Sequence, residues 1–221
     1  MRSRTAGGVR SQNRAEEAIK NGFFEREITP VALPDGTVVS TDDGPRAGTT
    51  YEGISQLKPV FRPDGTVTAG NACPLNDGAA ALVIMSDTKA KALGLTPPLA
   101  RIVSTGVSGL SPPEIMGLGP IEAVKKALAL AGKSISDIDL FEINEAFAVQ
   151  VLGSARELKI DEDKLNISGG AIALGHPFGM TGARITNTLL NNLREQDKTF
   201  GVETMCVGGG QGMAMVLERL S

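Results

Sequence analysis

Apolar residues follow two different spacings along the chain, and the spacing changes near residue 75. From residue 11 to residue 24 they recur every three or four positions, which predicts an amphipathic helix that ends at Asn21-Gly22. The segment after this helix has no sustained period and contains two turn signals, Pro34-Asp35-Gly36 and Pro63-Asp64-Gly65. Residues 1–75 are therefore predicted to form an irregular, loop-rich lobe.

Beyond residue 75, short apolar runs alternate with longer segments of helical period. The runs predict strands, the first of them buried, at 81–85, 101–107, 138–143, 202–207 and 213–217. The other segments predict helices at 86–94, 120–131, 146–158 and 179–193. This alternation indicates an α/β fold with helices on both faces of a β-sheet. The last two runs are too close for a parallel crossover, which needs about a dozen residues or more, so the predicted sheet is mixed.

Composition narrows the class of protein. The 221 residues are 41% hydrophobic and carry a net charge of −3, which fits a globular protein and argues against nucleic-acid binding. The longest apolar run, Ala79 to Met85, is too short to span a bilayer, and residues 1–8 lack the apolar core of a signal peptide. Two cysteines and one histidine provide neither a disulfide framework nor a metal cluster. We therefore expect a cytoplasmic protein with reduced thiols, no metal site and no membrane span.

The only histidine and one of the two cysteines lie in glycine-rich segments of the C-terminal third. His176 stands between Gly175 and Pro177, and its imidazole can accept a proton from a thiol or donate to an oxyanion near neutral pH. Cys206 ends an apolar run and precedes three glycines, whose backbone N–H groups lie beside the sulfur. The alternatives are a histidine that satisfies a buried turn and a cysteine that fills the core before a turn. Together the pair suggests acid–base chemistry on a thioester.

Asn144 follows the predicted strand 138–143 and opens the next predicted helix. Open α/β sheets bind ligands where strands lead into helices, and an asparagine there can orient a water molecule or a substrate carbonyl. Asparagine is also a preferred N-cap residue, so a purely structural role is the alternative.

Five motifs, taken in order, resemble the thiolases. They are Gly-Asn-Ala-Cys at 70–73 with Asn-Asp-Gly-Ala-Ala at 76–80, Met-Gly-Leu-Gly-Pro at 116–120, Asn-Glu-Ala-Phe at 144–147, Gly-Gly-Ala-Ile-Ala-Leu-Gly-His-Pro at 169–177, and Cys-Val-Gly-Gly-Gly at 206–210. The resemblance runs from about Val9 to the end of the chain. It implies a thiolase-like fold, with residues 1–75 as part of the loop domain and residues 76–221 as the C-terminal domain.

Thiolases cleave a 3-ketoacyl-CoA with CoA, or run the reverse Claisen condensation, through an acyl-enzyme on a cysteine. The resemblance therefore implies CoA and acyl-CoA as substrates and no permanently bound cofactor. His176 matches the histidine that activates the nucleophile and helps to hold the thioester oxygen. Cys206 matches the second cysteine, which exchanges a proton with the acetyl carbon or the leaving group. Asn144 matches the residue that fixes a water in one oxyanion hole, and the Gly208 N–H is expected to serve the other.

The resemblance also implies a surface that binds CoA. Phe61, Ala69 and Cys73 match loop-domain positions along the pantetheine arm, Arg46 matches a residue near the adenine, and Phe147 is expected to join them. Cys73 stands where a serine is more common, and a thiol is a weaker hydrogen-bond donor than a hydroxyl. The alternative interpretation of Cys73 as the nucleophile is disfavoured because its motif belongs to the loop domain.

The chain departs from the thiolases in one respect. A thiolase subunit has two similar α/β halves and a loop domain, and the acylated cysteine belongs to the N-terminal half, within a Cys-x-Ser-Gly signature that this chain lacks. We therefore expect an isolated chain that is catalytically incomplete and exposes apolar surface. Expected partners are a further copy of the chain, since thiolases are generally oligomers, or a missing N-terminal half.

Three hypotheses explain this departure. The chain is a fragment of an acyl-CoA acetyltransferase, through truncation or a misplaced start. In the second hypothesis it is one subunit of a split thiolase that a separate polypeptide completes. In the third it is a non-catalytic module for CoA binding or assembly.

Overall fold

The computed structural model describes residues 2–95, 99–111 and 113–221. Its helices are α1 (Arg2–Lys20), α2 (Tyr51–Ser55), α3 (Asp87–Ala92), α4 (Gly119–Ala131), α5 (Ala148–Leu158), α6 (Ala171–Leu174) and α7 (Thr181–Glu195). Its strands are β1 (Val31–Ala32), β2 (Val38–Val39), β3 (Ala100–Gly109), β4 (Leu140–Ile143), β5 (Phe200–Val207) and β6 (Gln211–Arg219). Short 3-10 helices lie at Phe23–Arg26, Pro113–Leu118, Ile135–Asp137 and Glu162–Lys164.

Four strands form one sheet in the order β3-β6-β5-β4. Strand β4 runs parallel to β5, whereas β6 is antiparallel to both β5 and β3. The tight turn between β5 and β6 contains Gly208, Gly209 and Gly210, with φ values of 59°, 71° and 150°. Such positive φ values favour residues without a β-carbon. The structure therefore confirms the mixed sheet and the antiparallel pairing predicted for the last two strands.

Helices cover both faces of this sheet, as predicted. On one face, α4 and α5 pack against the strands through a core that includes Val124, Val151 and Val202. On the other face, Leu189 of α7 packs against Leu140 and Leu217 of the strands. Burial of each such side chain contributes roughly 1.5–3 kcal/mol, and this burial holds the helices to the sheet.

The elements predicted beyond residue 100 lie within two or three residues of those observed. Helix α4, for example, has Pro120 in its first turn and ends at Gly132, whose φ of 63° is left-handed. Proline fits the first turn of a helix and glycine its end, so local sequence fixes both boundaries. None of the described helices is long and apolar enough to cross a membrane.

Helix α1 is longer than predicted and begins at Arg2 instead of near residue 11. Its early turns contain Gly7 and Gly8. Glycine has a low helix propensity, so the sequence there does not predict a helix. The structure shows why small residues are needed there, because a β-carbon on Gly8 would lie 1.9 Å from the Gly70 carbonyl oxygen. After residue 27 the lobe is irregular, and up to residue 75 it contains only β1, β2 and the short α2. The division of the chain near residue 75 into two domains stays a prediction.

The buried strand predicted at 81–85 is wrong for this structure. The segment forms no strand, and we call it the unpaired run (residues 81–85). Val83 is 87% exposed and Ile84 is 70% exposed. Among the described residues the run makes no backbone–backbone hydrogen bond, although the Ala81 carbonyl oxygen accepts one from Asn187 Nδ2 at 3.5 Å. A strand needs a neighbour to satisfy its backbone groups, and no described strand lies beside this run.

Candidate active site

The carboxyl ends of the parallel strands β4 and β5 carry two of the predicted site residues. Asn144 directly follows β4, and its backbone N–H donates to the Thr204 carbonyl oxygen of β5 at 3.0 Å. Cys206 lies two residues farther along β5. Because both strands run in the same direction, Asn144 and Cys206 lie at one edge of the sheet, where open α/β sheets bind their ligands.

His176 reaches this edge from the segment between α6 and α7. Its Nε2 lies 3.2 Å from Asn144 Nδ2, and its backbone N–H donates to Asn76 Oδ1 at 3.1 Å. The preceding Gly175 has a φ of 92°, and a β-carbon on it would lie 2.3 Å from Asn76 Nδ2. Glycine is therefore required where Asn76 approaches the backbone. The structure brings His176 and Asn144, two predicted catalytic residues, into direct contact.

The imidazole of His176 is suited to accept a proton. Burial, and then the positive charge of Arg184, lower the pKa of His176 below its usual value, so the ring is neutral at pH 7. Its Nδ1 lies 2.6 Å from the Thr181 hydroxyl oxygen. A neutral imidazole carries a proton on one nitrogen and accepts at the other, so the partner of Nδ1 decides what Nε2 can do.

Asn144 has an unused hydrogen-bond acceptor. The residue is 1% exposed, and its Oδ1 is buried without a hydrogen-bond partner in the described part of the chain. An unsatisfied buried acceptor costs about 1–3 kcal/mol, and such groups in native proteins commonly serve a water or a ligand. Asn144 Oδ1 is therefore placed to hold a donor beside the imidazole.

Neither cysteine is activated in this structure. Burial raises the pKa of the buried Cys206 thiol. Burial also raises the pKa of the half-buried Cys73, and the negative charge of a Cys206 thiolate raises it further. The thiol is the favoured form of both side chains at pH 7, so neither is an activated nucleophile on its own.

Of the five residues predicted to bind CoA, Phe147 directly precedes α5, and Phe61, Ala69 and Cys73 belong to the segment 61–73, which contacts the start of α5. The rings of Phe61 and Phe147 meet edge to face, with their centroids 6.0 Å apart. Ala72 forms an antiparallel bridge with Phe147, and the Cys73 N–H donates to the Ala146 carbonyl oxygen at 3.1 Å. Ala69 is exposed a short way before this bridge. These four residues therefore present an open, largely apolar surface.

The fifth residue, Arg46, lies in a different part of the lobe. It is exposed, and its backbone N–H donates to Gln12 Oε1 of α1 at 2.8 Å. No contact in the described structure joins Arg46 to His176 or to the aromatic pair, so its placement near a CoA adenine stays a prediction.

A cleft of about 340 Å³ opens beside the imidazole. It is lined by Leu75, Asn76, Asp77, His176, Pro177 and Phe178. The Phe178 ring lies edge-on to the imidazole, with the ring centroids 5.1 Å apart. A ligand can therefore reach His176 from solvent. In the described residues, no group of three or more His, Cys, Asp or Glu side chains is placed to hold a metal ion.

The sequence did not reveal three residues that build this site, namely Asn76, Thr181 and Glu145. Glu145 is buried and accepts hydrogen bonds from Ser11 Oγ at 2.5 Å and from Asn166 Nδ2 at 3.0 Å. Glu145 thereby fixes the backbone next to Asn144 to α1 and to the segment before α6. The presence of Glu145 in the motif at 144–147 indicated that the residue could matter to the site, but the motif does not predict which groups the carboxylate binds.

Comparison with known proteins settles the family. A model of the thiolase C-terminal domain matches residues 96–219, and a model of the thiolase N-terminal domain matches residues 3–88. The chain belongs to the thiolase family. This thiolase chain is 53% identical to the acetyl-CoA acetyltransferase of Escherichia coli strain K12, over 96% of the chain and 54% of that protein. It is 48% identical to the 3-ketoacyl-CoA thiolase of Bacillus subtilis strain 168, over 96% of the chain and 57% of that protein.

Solved thiolase structures have the same fold. The crystal structure of the Bacillus anthracis acetyl-CoA acetyltransferase superposes with a TM-score of 0.95 at 46% identity, covering 99% of this chain and 56% of that one. Human mitochondrial 3-ketoacyl-CoA thiolase superposes with a TM-score of 0.91 at 42% identity, again covering 56% of the longer chain. The thiolase-like α/β fold is therefore confirmed. The chain spans about half the length of the curated relatives that it matches.

Proposed function

We propose that this chain is part of a thiolase-type acyl-CoA C-acyltransferase, which cleaves a 3-ketoacyl-CoA with CoA or runs the reverse Claisen condensation. The main support is the contact of His176 Nε2 with Asn144 Nδ2 at 3.2 Å, beside a buried Asn144 Oδ1 that lacks a donor in the described part of the chain. A water that donates one hydrogen to this oxygen can direct its other hydrogen to a thioester oxygen. Fixed donors of this kind stabilise an enolate or oxyanion in the transition state.

His176 acts as the base in this proposal. Its lowered pKa keeps the resting imidazole neutral, so Nε2 can take the proton of a nucleophilic thiol. The imidazolium then donates its Nε2–H to the oxygen of the thioester under attack.

Cys206 acts as the proton carrier. Its raised pKa keeps the thiol protonated, so it can protonate the acetyl carbon when the carbon–carbon bond breaks. The resulting thiolate then takes the proton of the incoming CoA thiol, which attacks the acyl-enzyme and returns Cys206 to its first state. The Gly208 N–H, directly after Val207, is proposed as a donor to the oxyanion of this second step.

The nucleophile is supplied by residues other than these 221. Neither Cys73 nor Cys206 has a lowered pKa, and the Cys-x-Ser-Gly signature is absent from the sequence. We infer that the remainder of a thiolase N-terminal half supplies it, either in a longer chain or as a separate polypeptide. The exposed unpaired run supports this inference, because it lies within residues 3–88, which match the thiolase N-terminal domain.

The proposal extends to substrate, location and assembly. CoA and acyl-CoA are the substrates, and the pantetheine arm lies along Phe61, Ala69, Cys73 and Phe147, with Arg46 toward the adenine. The completed enzyme is a cytoplasmic oligomer that acts in lipid metabolism. The relatives named as acetyl-CoA acetyltransferase and 3-ketoacyl-CoA thiolase support this class of substrate.

The test combines the chain with the part of the Escherichia coli acetyl-CoA acetyltransferase that precedes its region of similarity. We expect the mixture, or a fusion of the two parts, to cleave acetoacetyl-CoA in the presence of CoA, whereas neither part does so alone. His176→Ala should lower this activity by roughly 10²-fold or more, and Leu130→Asp on the far surface of α4 should leave it unchanged. A fusion that folds and binds CoA without cleavage would contradict the proposal and favour the non-catalytic module.

A further inference from the structure

Thr181 stands behind the imidazole, on the side opposite Asn144. It is the first residue of α7 and is fully buried. Its hydroxyl oxygen lies 2.6 Å from His176 Nδ1 and 2.8 Å from the Pro177 carbonyl oxygen. One hydroxyl thus joins the imidazole to the backbone at the start of the helix.

The hydrogen bonds at the Thr181 hydroxyl determine the tautomer of the His176 imidazole. A hydroxyl has one hydrogen to donate, and that of Thr181 is directed at the Pro177 carbonyl oxygen, which also accepts from the backbone N–H groups of Met180 and Thr181. Thr181 Oγ1 must then accept from His176, which requires a proton on Nδ1. In the neutral ring, Nε2 is left without a proton and accepts from Asn144 Nδ2 at 3.2 Å. All three hydrogen bonds are satisfied by this one arrangement.

We infer that Thr181 is a positioning residue that holds His176 in the Nδ1–H tautomer, so that the lone pair of Nε2 faces Asn144 and the cleft. Free neutral imidazoles of histidine favour the proton on Nε2, so the hydroxyl works against the solution preference. The opposite arrangement needs a proton on Nε2, a turned Asn144 amide and a hydroxyl proton withdrawn from the Pro177 carbonyl. In that arrangement Nε2 has no lone pair with which to take a proton.

The tautomer can be measured on the chain as it exists, because His176 is the only histidine. In a long-range ¹H–¹⁵N correlation spectrum of the labelled chain, recorded above the pKa of the ring, we expect Nδ1 to show the protonated shift and Nε2 the unprotonated one. Thr181→Val keeps the shape of the side chain but removes the hydroxyl. In this variant we expect the proton of the neutral imidazole to move from Nδ1 to Nε2. Thr181→Ser restores the hydroxyl and should restore the wild-type spectrum.

Thr186→Val is the matched control. Thr186 is also buried on α7, and its hydroxyl donates to the Gly182 carbonyl oxygen at 2.8 Å, one helical turn back, as that of Thr181 does to Pro177. It makes no hydrogen bond to the imidazole in the described structure, so its loss should leave the tautomer unchanged. A wild-type spectrum with the proton on Nε2 would overturn the inference, and this result does not depend on whether any variant folds. An unchanged tautomer in a folded Thr181→Val chain would overturn it as well.

The consequence for catalysis rests on the proposed function. In the fusion with the Escherichia coli N-terminal part, Thr181→Val should lower kcat by roughly 10²-fold while KM for CoA changes little, because only the proton transfer is impaired. Thr181→Ser should recover most of the lost activity. The expected spectra combined with an inactive wild-type fusion would count against the proposed function alone, whereas an active fusion with equal kcat in wild type and Thr181→Val would count against the role of Thr181.

Discussion

Two segments that the sequence predicts as strands have opposite fates in this chain. Strand β5 lies between β4 and β6, and Val202 within it is fully buried. The unpaired run contains the strand-favouring residues Val83 and Ile84, yet Val83 is 87% exposed. The difference lies in their neighbours, because β5 satisfies its backbone on both sides and the run has no described strand beside it.

This comparison shows what an apolar pattern encodes. The pattern records a requirement to be buried, and the partner that meets it can belong to another polypeptide or to a more distant part of a longer one. The unpaired run falls in the part of the chain that matches the thiolase N-terminal domain, whereas β5 falls in the part that matches the C-terminal domain. Strand β5 pairs with strands of this chain, whereas the unpaired run pairs with none of the strands described.

The largest expected difference between the two segments is in the loss of folding stability when a charged residue is introduced. Val202→Asp places a carboxyl in the core of the sheet, and we expect it to remove at least about 4 kcal/mol of stability or to prevent folding. Val83→Asp changes an exposed side chain and should alter the free energy of unfolding by less than about 0.5 kcal/mol. Urea unfolding followed by circular dichroism measures both. Equal losses would show that the run is buried in the chain as it folds alone.

A second difference is that the strands of the sheet carry buried carboxyl groups and the run carries none. Glu142 of β4 and Glu203 of β5 are register partners. Burial raises the pKa of Glu142 to about 8 and that of Glu203 to about 7, from an ordinary value of 4.5. The folded chain holds these protons more tightly than the unfolded chain does. The stability that the two groups contribute is therefore fully present below pH 4.5 and is lost as pH rises through 7 and 8.

Glu203→Gln should remove the share of this pH dependence that belongs to Glu203. The raised pKa corresponds to a loss of roughly 3 kcal/mol for one group between about pH 4.5 and about pH 8. We expect urea unfolding at about pH 5.5 and about pH 8.5 to show a smaller decline for this variant than for the wild type. Glu157→Gln, at an exposed position on α5, serves as the control and should decline as the wild type does. Equal declines in all three proteins would contradict the assignment.

The parts of the fold that the sequence predicted are those with local causes. Pro120 and Gly132 mark the ends of α4, and the short glycine-rich link after Val207 leaves β5 and β6 only the antiparallel pairing. The first turns of α1 were missed because Gly7 and Gly8 weaken the helical signal. Their packing against distant residues stabilises the helix, and a local pattern does not contain that information.

In the site, too, the sequence predicted some residues and missed others. The sequence placed Asn144 after a strand and His176 in a glycine-rich segment, and the structure brings them together. It could not point to Thr181, because the bond from its hydroxyl to Nδ1 depends on the turn through Pro177 and on two side-chain rotamers. Asn76 is a hundred residues from His176 in sequence, and that separation gives no hint of the contact.

The smallest expected effect concerns the partner that the run requires. Ile84 and Leu130 are exposed to similar extents, 70% and 74%, but Ile84 lies in the unpaired run and Leu130 on the outer surface of α4. If a thiolase N-terminal half supplies the neighbouring strand, Ile84→Asp should weaken its association at least about tenfold, or about 1.4 kcal/mol. Leu130→Asp should leave the affinity unchanged.

The measurement is the affinity of each variant for the N-terminal part of the Escherichia coli relative, together with hydrogen exchange of residues 81–85. Because the run makes no backbone–backbone hydrogen bond in the described structure, its amides should exchange rapidly in the isolated chain and slowly in the complex. Slow exchange in the isolated chain would mean that another part of this chain already pairs with the run. Equal affinities for the two variants, with rapid exchange in both states, would place the N-terminal half on a different surface and leave the run without a role in assembly.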